Sequence, residues 1–200
     1  VVATLTVAIM LFAVGTGLGL FKWLMIAFTS ILGGLILVSP YRMNRVIGFL
    51  QPWENPYGAG YQLTQSLIAF GQGGMWGRGL GGSVQKHFYL PEAHNDFIYA
   101  VIGEELGLVG ALAITVIYWL IVLKMWRTGY KLRPVSPVHA NLAIGIGSWF
   151  MWQSAIAMAV PLGIVPTKGL TLPLISYGGS SFMSFCGMIA LYQVTAQRAS

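Results

Sequence analysis

The stretch FIYAVIGEELGLVGALAITVIYWLIVL, residues 97–123, decides the fold. At about 1.5 Å per residue a helix of this length crosses a hydrocarbon core about 30 Å thick, and apart from Glu104 and Glu105 the stretch carries no charge. Directly before it stands PEAHND, residues 91–96. Of the chain's five acidic residues, Glu92, Asp96, Glu104 and Glu105 therefore lie at the mouth or in the first turns of one apolar run. A chain that is 56% hydrophobic and 8% charged has concentrated its carboxylates in one place.

Further apolar runs flank this one. Residues 1–21 are uncharged, WLMIAFTSILGGLILVS follows Lys22 and is stopped by Pro40, Ala140 to Val165 is uncharged, and Lys168 and Arg198 bracket a last run. The pattern predicts an all-α, polytopic transmembrane helical bundle with about five spans: a hairpin over 1–39, then three helices over 97–200. The opening VVATLTVAIMLF has no basic n-region or small-residue cleavage site, and is expected to be a span of a longer membrane protein rather than a signal peptide. The single cysteine, Cys186, sits in the apolar FMSFCGMIALY and is expected to pack there.

The formal charge of +6 does not point to nucleic acid, because the basic residues sit at the ends of apolar runs and form no stripe with interleaved aromatics. Lys124, Arg127, Lys131 and Arg133, without an acid between them, mark 124–139 as a cytoplasmic loop. Threading outward puts residues 40–96 and 166–180 on the external face. The long loop 40–96 is dense in aromatic and aliphatic residues, which predicts short helices on or in the bilayer surface. Arg42, Arg45 and Lys168 then lie outside, against the usual bias, and call for a partner such as an anionic headgroup or a phosphorylated substrate.

Several motifs have both a structural and a functional reading. GRGLGG, residues 77–82, matches a dinucleotide fingerprint in letters only, since no strand precedes it; turn-forming glycines account for it. Gly103, Gly107 and Gly110 form a small-residue face for a close helix neighbour. Glu104 and Glu105, about two turns into the membrane run, suit an ion pair to Arg42 or Arg45. Asp96 precedes the apolar run in a helix-capping position, which leaves the gathering of Glu92, His94 and Asn95 beside it unexplained. SYGGSS, residues 176–181, is a tight turn opening the last helix, and its free N–H groups could hold an anion.

The segments YQLTQSLIAFGQGG (61–74), GLGGSVQKHFYLPEAHNDFIYAVIGEELGLVGA (79–111) and PTKGLTLPLISYGGSS (166–181) resemble the signature regions of the SEDS membrane glycosyltransferases, the FtsW/RodA family of bacterial cell-wall synthesis. PEAH, the preceding VQK and TKGLTLPLISYGGSS are most similar to its division branch. The family is a ten-span bundle, of which this chain would be about the last five. Asn95 stands where Thr is commoner.

That resemblance implies a peptidoglycan glycosyltransferase in the bacterial cytoplasmic (inner) membrane that polymerises lipid II on the external face. One sugar hydroxyl attacks the anomeric carbon of the undecaprenyl-linked glycan and displaces undecaprenyl pyrophosphate. Such chemistry needs a base for the hydroxyl proton and positive charge for the leaving group. By the resemblance Asp96 is the catalytic base. Glu92 and His94 orient or tune it, Arg42, Arg45 and Lys168 meet the pyrophosphate, and Ser176, Gly178 and Gly179 belong to the substrate site. Glu104 and Glu105 support the scaffold. No cofactor is firmly implied; a divalent cation bridging carboxylate and phosphate is compatible with the spacing but not required by it. The implied partners are a class B penicillin-binding protein and other division proteins. Two competing readings are a lipid II flippase, which needs polar residues at the midplane of several spans, and a non-catalytic scaffold that recruits a transpeptidase.

Overall fold

The computed structural model describes residues 2–14, 38–54, 58 and 60–197, together with positions 19, 22, 23, 26, 27, 29, 30, 33 and 34. Among the described residues the regular structure is helical, without a strand. In chain order the helices are α1 (Val2–Val14), α2 (Pro40–Leu50), α3 (Tyr61–Gly73), α4 (Gln85–Phe88), α5 (Ile98–Leu132), α6 (Pro137–Ala159) and α7 (Gly179–Gln197). Two of them, α5 and α6, are long and apolar enough to cross a membrane. Within the expected span over 22–39, positions 24, 25, 28, 31, 32 and 35–37 lie outside the described residues.

The boundaries follow local chemistry. Ser39 is held extended (φ −112°, ψ 110°) by the proline after it, and Pro40, lacking an N–H that would go unpaired there, opens α2. α3 ends where Gly74 turns to φ 54°. α5 does not stop at Leu123 but continues through KMWRTGYKL to Leu132, so the residues expected as a loop from 124 onward are largely helical. Lys, Arg, Met and Leu are good helix formers, and basic residues suit a helix C-terminus. Pro134 then prevents continuation, and Pro137 opens α6. The last helix starts later than the apolar run suggested, at Gly179. The residues before it, Leu170 to Gly178, form turns around Pro173 in which Leu174 takes a left-handed φ of 66°. Cys186 is exposed on α7 rather than packed.

The chain forms two compact units, one of residues 1–34, 117–153 and 179–200, the other of 35–116 and 154–178. In the first, small residues let helices approach closely: a Cβ on Gly129 would meet Ile144, one on Gly147 would meet Met125 and Trp126, and one on Gly145 would meet Met10. Tyr118 stacks on Phe150 at 5.3 Å, and Phe150 meets Phe185 edge-on at 5.8 Å. The hydroxyls of Thr128 and Tyr192 share a 2.9 Å hydrogen bond.

The second unit is organised around a break in α5. Gly107 has φ 69° and ψ −170°, a region open essentially to glycine alone. In an unbroken helix the N–H groups of Leu108 and Val109 would donate to the carbonyls of Glu104 and Glu105. Here they donate to Gly74 O (2.9 Å) and Met75 O (3.2 Å), while those two carbonyls accept from Arg78 N and Gly79 N, both at 3.0 Å. The glycine-rich segment after α3 is thus laid into the gap. A Cβ at Gly77 would collide with the Glu105 carbonyl, and one at Gly107 with the backbone of Met75 and Gly77. α3 itself packs on the first part of α5 through Gly73, against the Gly103 carbonyl, and Phe70, against Gly103 and 5.8 Å from Tyr99. The small-residue face expected at Gly103 and Gly107 therefore receives α3 and its following turn.

Gly107→Ala should lower stability by about 1–3 kcal/mol or more, since a Cβ adds a clash to the strain of that conformation. Gly71→Ala, at an exposed helical position with nothing within 4 Å of its Cβ, should be neutral or stabilising by up to about 1 kcal/mol. Thermal unfolding of the two variants in detergent checks the contrast.

Candidate functional site

PEAHND is pinned by its apolar residues and turned by its polar ones. Leu90, Ala93 and Phe97 are buried, while Glu92 and His94 are exposed. Glu92 adopts a left-handed φ of 55°. Its carbonyl accepts the Asn95 N–H at 3.0 Å, and its carboxylate accepts from Asn95 Nδ2. Phe97 O receives the N–H groups of Ala100 (2.9 Å) and Val101 (3.4 Å), and the helix begins at Ile98. Asp96 makes no capping bond; among the described residues no hydrogen bond to its carboxylate is formed. The capping role open to it in the sequence is not the one it takes.

A second loop, residues 166–178, closes on this turn. Tyr177 N donates to His94 O at 3.0 Å, and the two rings meet edge to face at 5.8 Å. Ser176 Oγ donates to Asn95 O at 2.7 Å and accepts from Leu172 N at 2.8 Å. Gly169 lies against the Asp96 carboxylate so closely that a Cβ there would stand 3.0 Å from Oδ2. From α2, Arg45 reaches the same loop with a long 3.5 Å contact from Nη1 to Thr167 O. Burial raises the Asp96 pKa above its ordinary value of 3.8, and the charge of Glu92 raises it further against a lowering influence of Arg45.

Of the residues singled out in the sequence, the structure brings together Asp96, Glu92, His94, Arg45 and Ser176, with exposed Lys168 adjoining Gly169. Gly178 follows Tyr177 on the same loop. Gly179 opens α7 and belongs to the other unit. The side chain of Arg42 lies outside the described residues. Among the described residues no three His, Cys, Asp or Glu side chains gather as a metal site.

Glu104 and Glu105 occupy a different place, with partners other than those expected. Glu104 is fully buried and accepts from Ser83 Oγ (2.5 Å), Val84 N (3.0 Å), Gln85 N (3.3 Å) and Arg78 Nη1 (3.4 Å). Glu105 pairs with Lys86 at 3.0 Å. The cations come from the glycine-rich loop (Arg78) and from α4 (Lys86) rather than from α2. Sequence reasoning passed over Ser83, Arg78 and Gly169. The first two follow GRGLGGS into a turn that delivers two backbone N–H groups beside them, whereas the approach of Gly169 to Asp96 spans 73 positions and leaves no local signal.

A family model described as a cell cycle protein of the FtsW/RodA/SpoVE type matches residues 1–199. The chain belongs to this family. Relatives in it include proteins named probable peptidoglycan glycosyltransferase FtsW from Aliivibrio salmonicida (50% identical over 192 residues, 96% of this chain and 48% of that protein) and Tolumonas auensis (48% over 183 residues, 91% and 48%). The FtsW of Legionella pneumophila is 48% identical over 192 residues, 96% of this chain and 49% of that protein. The chain thus spans about half the length of the relatives it matches. A chain in a solved peptidoglycan synthase complex, described as coordinating polymerization and crosslinking, shares the fold with a TM-score of 0.69 at 24% identity, over 99% of this chain and 55% of its own length.

Glu104→Gln should cost about 2–4 kcal/mol of stability, because the amide turns a donor toward groups that are themselves donors and leaves Arg78 without its carboxylate. The check is the thermal midpoint and yield of the purified variant, which should fall while His94, Asp96 and the loop around Ser176 keep their wild-type protection in hydrogen exchange.

Proposed function

We propose that the full-length protein is a peptidoglycan glycosyltransferase that polymerises lipid II during bacterial cell division, with Asp96 as general base. The observation that carries this reading is the state of the Asp96 carboxylate. It is partly desolvated, carries a raised pKa, sits beside a second carboxylate and, among the described residues, spends no hydrogen bond on the fold. A base with a raised pKa holds the abstracted proton better. It takes the proton from the attacking sugar hydroxyl as that oxygen bonds to the anomeric carbon of the lipid-linked glycan. The pyrophosphate departs as an anion, and Arg45 and Lys168, with Arg42 on the same helix as Arg45, supply the positive charge that stabilises it. Glu92 raises the basicity of Asp96, and His94 and the turn at Gly178 lie along the substrate. Each step is balanced without a cofactor.

This reading also assigns the sides of the membrane. In a bundle of five spans in this half, the site faces the periplasm, residues 40–96 and 166–180 are external, and the segment around 124–139 is cytoplasmic. A class B penicillin-binding protein docks on the full-length protein and crosslinks the emerging strand. A flippase would place its polar residues at the midplane of several helices, whereas Asp96 and Lys168 lie on loops and Arg42 and Arg45 on the short helix α2.

Asp96→Asn tests the assignment. Burial disfavours the charged carboxylate, so ionised Asp96 weakens the fold at neutral pH; that cost is absent below pH 3.8, where the group is protonated both folded and unfolded, and appears as pH rises through the raised folded pKa. The Asn variant should therefore unfold at the same temperature as the parent or slightly higher. Its polymerisation of fluorescent lipid II with its partner should fall about 10²- to 10⁴-fold. Full activity would contradict the base, and loss of stability would make Asp96 structural. For topology, in a Cys186→Ser background, cysteine at Lys168 should react with a membrane-impermeant thiol reagent in intact spheroplasts and cysteine at Lys131 should not; the reverse pattern would move the site to the cytoplasm.

A further inference from the structure

Ser176 reads in the sequence as part of a substrate-binding glycine turn, but its hydroxyl is occupied within the chain. A serine hydroxyl has one proton and two lone pairs. The proton goes to Asn95 O at 2.7 Å, and one lone pair takes the Leu172 N–H at 2.8 Å. The turn is closed from both sides, because Ser176 N in turn donates to Leu172 O at 3.0 Å. Leu172 and Pro173 are buried to within 2% of completeness, so the hydroxyl is mounted on a fixed part of the protein.

What the hydroxyl holds is the carbonyl of the Asn95–Asp96 peptide. That unit is planar, so fixing its oxygen restricts the direction in which the Asp96 Cα and side chain leave the backbone. The next residue repeats the contact, Tyr177 N to His94 O, so that two consecutive residues of one loop grip two consecutive residues of the other. Gly169 then limits where the carboxylate can lie. Since Asp96 makes no hydrogen bond of its own among the described residues, its orientation depends on these contacts with its backbone and on that glycine.

We infer that Ser176 is a positioning residue for the reaction at Asp96: it holds the Asn95 carbonyl so that the Asp96 carboxylate rests against Gly169, and it does not bind substrate. The inference rests on the reading of Asp96 as base. It makes the 166–178 loop a template for the base, distinct from any role in holding the leaving group. A displacement of a catalytic group by about 1 Å can cost about 10²-fold in rate, whereas loss of a substrate contact made equally in ground and transition states raises KM alone.

The test uses the full-length protein with its transpeptidase partner and fluorescent lipid II. Ser176→Ala should lower kcat roughly ten- to hundredfold while KM for lipid II stays within about twofold. Ser176→Thr, which keeps the hydroxyl, should recover most of that loss. A raised KM with unchanged kcat would overturn the inference by making Ser176 a substrate contact, and failure of Thr to rescue would overturn it by making the hydroxyl irrelevant. In an Asp96→Asn background, Ser176→Ala should cost no further activity; the same fold-loss there as in the parent would show that Ser176 acts by another route. A fully active Asp96→Asn single variant would instead refute the base itself, whatever Ser176 does. Should Ser176→Ala not fold, Gly169→Ala pushes on the carboxylate from the other side and should lower kcat with KM unchanged; wild-type kcat in that variant would overturn the inference.

Discussion

The second unit depends on an exchange of backbone hydrogen bonds at Gly107. A helix broken inside an apolar environment would strand two N–H groups and two carbonyls, each costly to leave unpaired where water is scarce. The glycine-rich turn after α3 takes up all four, residue for residue, so the break is made without loss of hydrogen bonds. The exchange requires glycine at both surfaces, Gly77 on the turn and Gly107 in the helix, because the backbones touch. Glu104 reinforces it with its side chain, reaching past the turn to collect Ser83 Oγ and two backbone N–H groups. The first segment of α5 is thereby locked to the loop before it. The Asp96 turn is built at the end of that locked segment.

The chain's carboxylates divide by how completely they are satisfied. Glu104 is buried and saturated with donors, Glu105 is paired with Lys86, and Glu92 accepts from Asn95. Among the described residues, Asp96 alone of these four has its charge partly desolvated with no hydrogen bond to its carboxylate in return. A fold has little stability to gain from such a group even with the charge of Arg45 nearby, and a partly desolvated carboxylate in a fixed frame is the pattern expected of a site that holds something else. The frame is rigid for identifiable reasons: buried Ala93 and Phe97 on one side, and the turn of Leu172 to Tyr177 on the other.

Much of this was legible in the sequence, and what was not has a physical reason. The apolar run after Asp96 announced a membrane helix, and the glycines of GRGLGG read correctly as turns; Pro40, read as the stop of an apolar run, also opens α2. The helix end was misplaced because hydropathy falls at Lys124 while helix propensity does not, and only Pro134 ends the helix. The ion pairs of Glu104 and Glu105 were assigned to α2 because depth in the membrane run suggested a distant cation, when a turn folded back into the helix break brought Arg78 and Lys86 nearer. The partners of the Ser176 hydroxyl were not legible, because a sequence shows a hydroxyl and not what it bonds. The contact of Gly169 with Asp96 is a through-space relation between residues far apart in the chain, which only the fold reveals.

The central claim is that one carboxylate, its basicity raised by burial and by Glu92, accepts the proton in glycan polymerisation. The most direct measurement is the pH–rate profile of lipid II polymerisation by the full-length protein, compared with that of its Glu92→Gln variant. Activity should be lost as pH falls through an acid limb whose midpoint lies above 3.8, and removing the Glu92 charge should move that limb to lower pH without abolishing activity at neutral pH. An acid limb that stays in place when the Glu92 charge is removed would contradict the account.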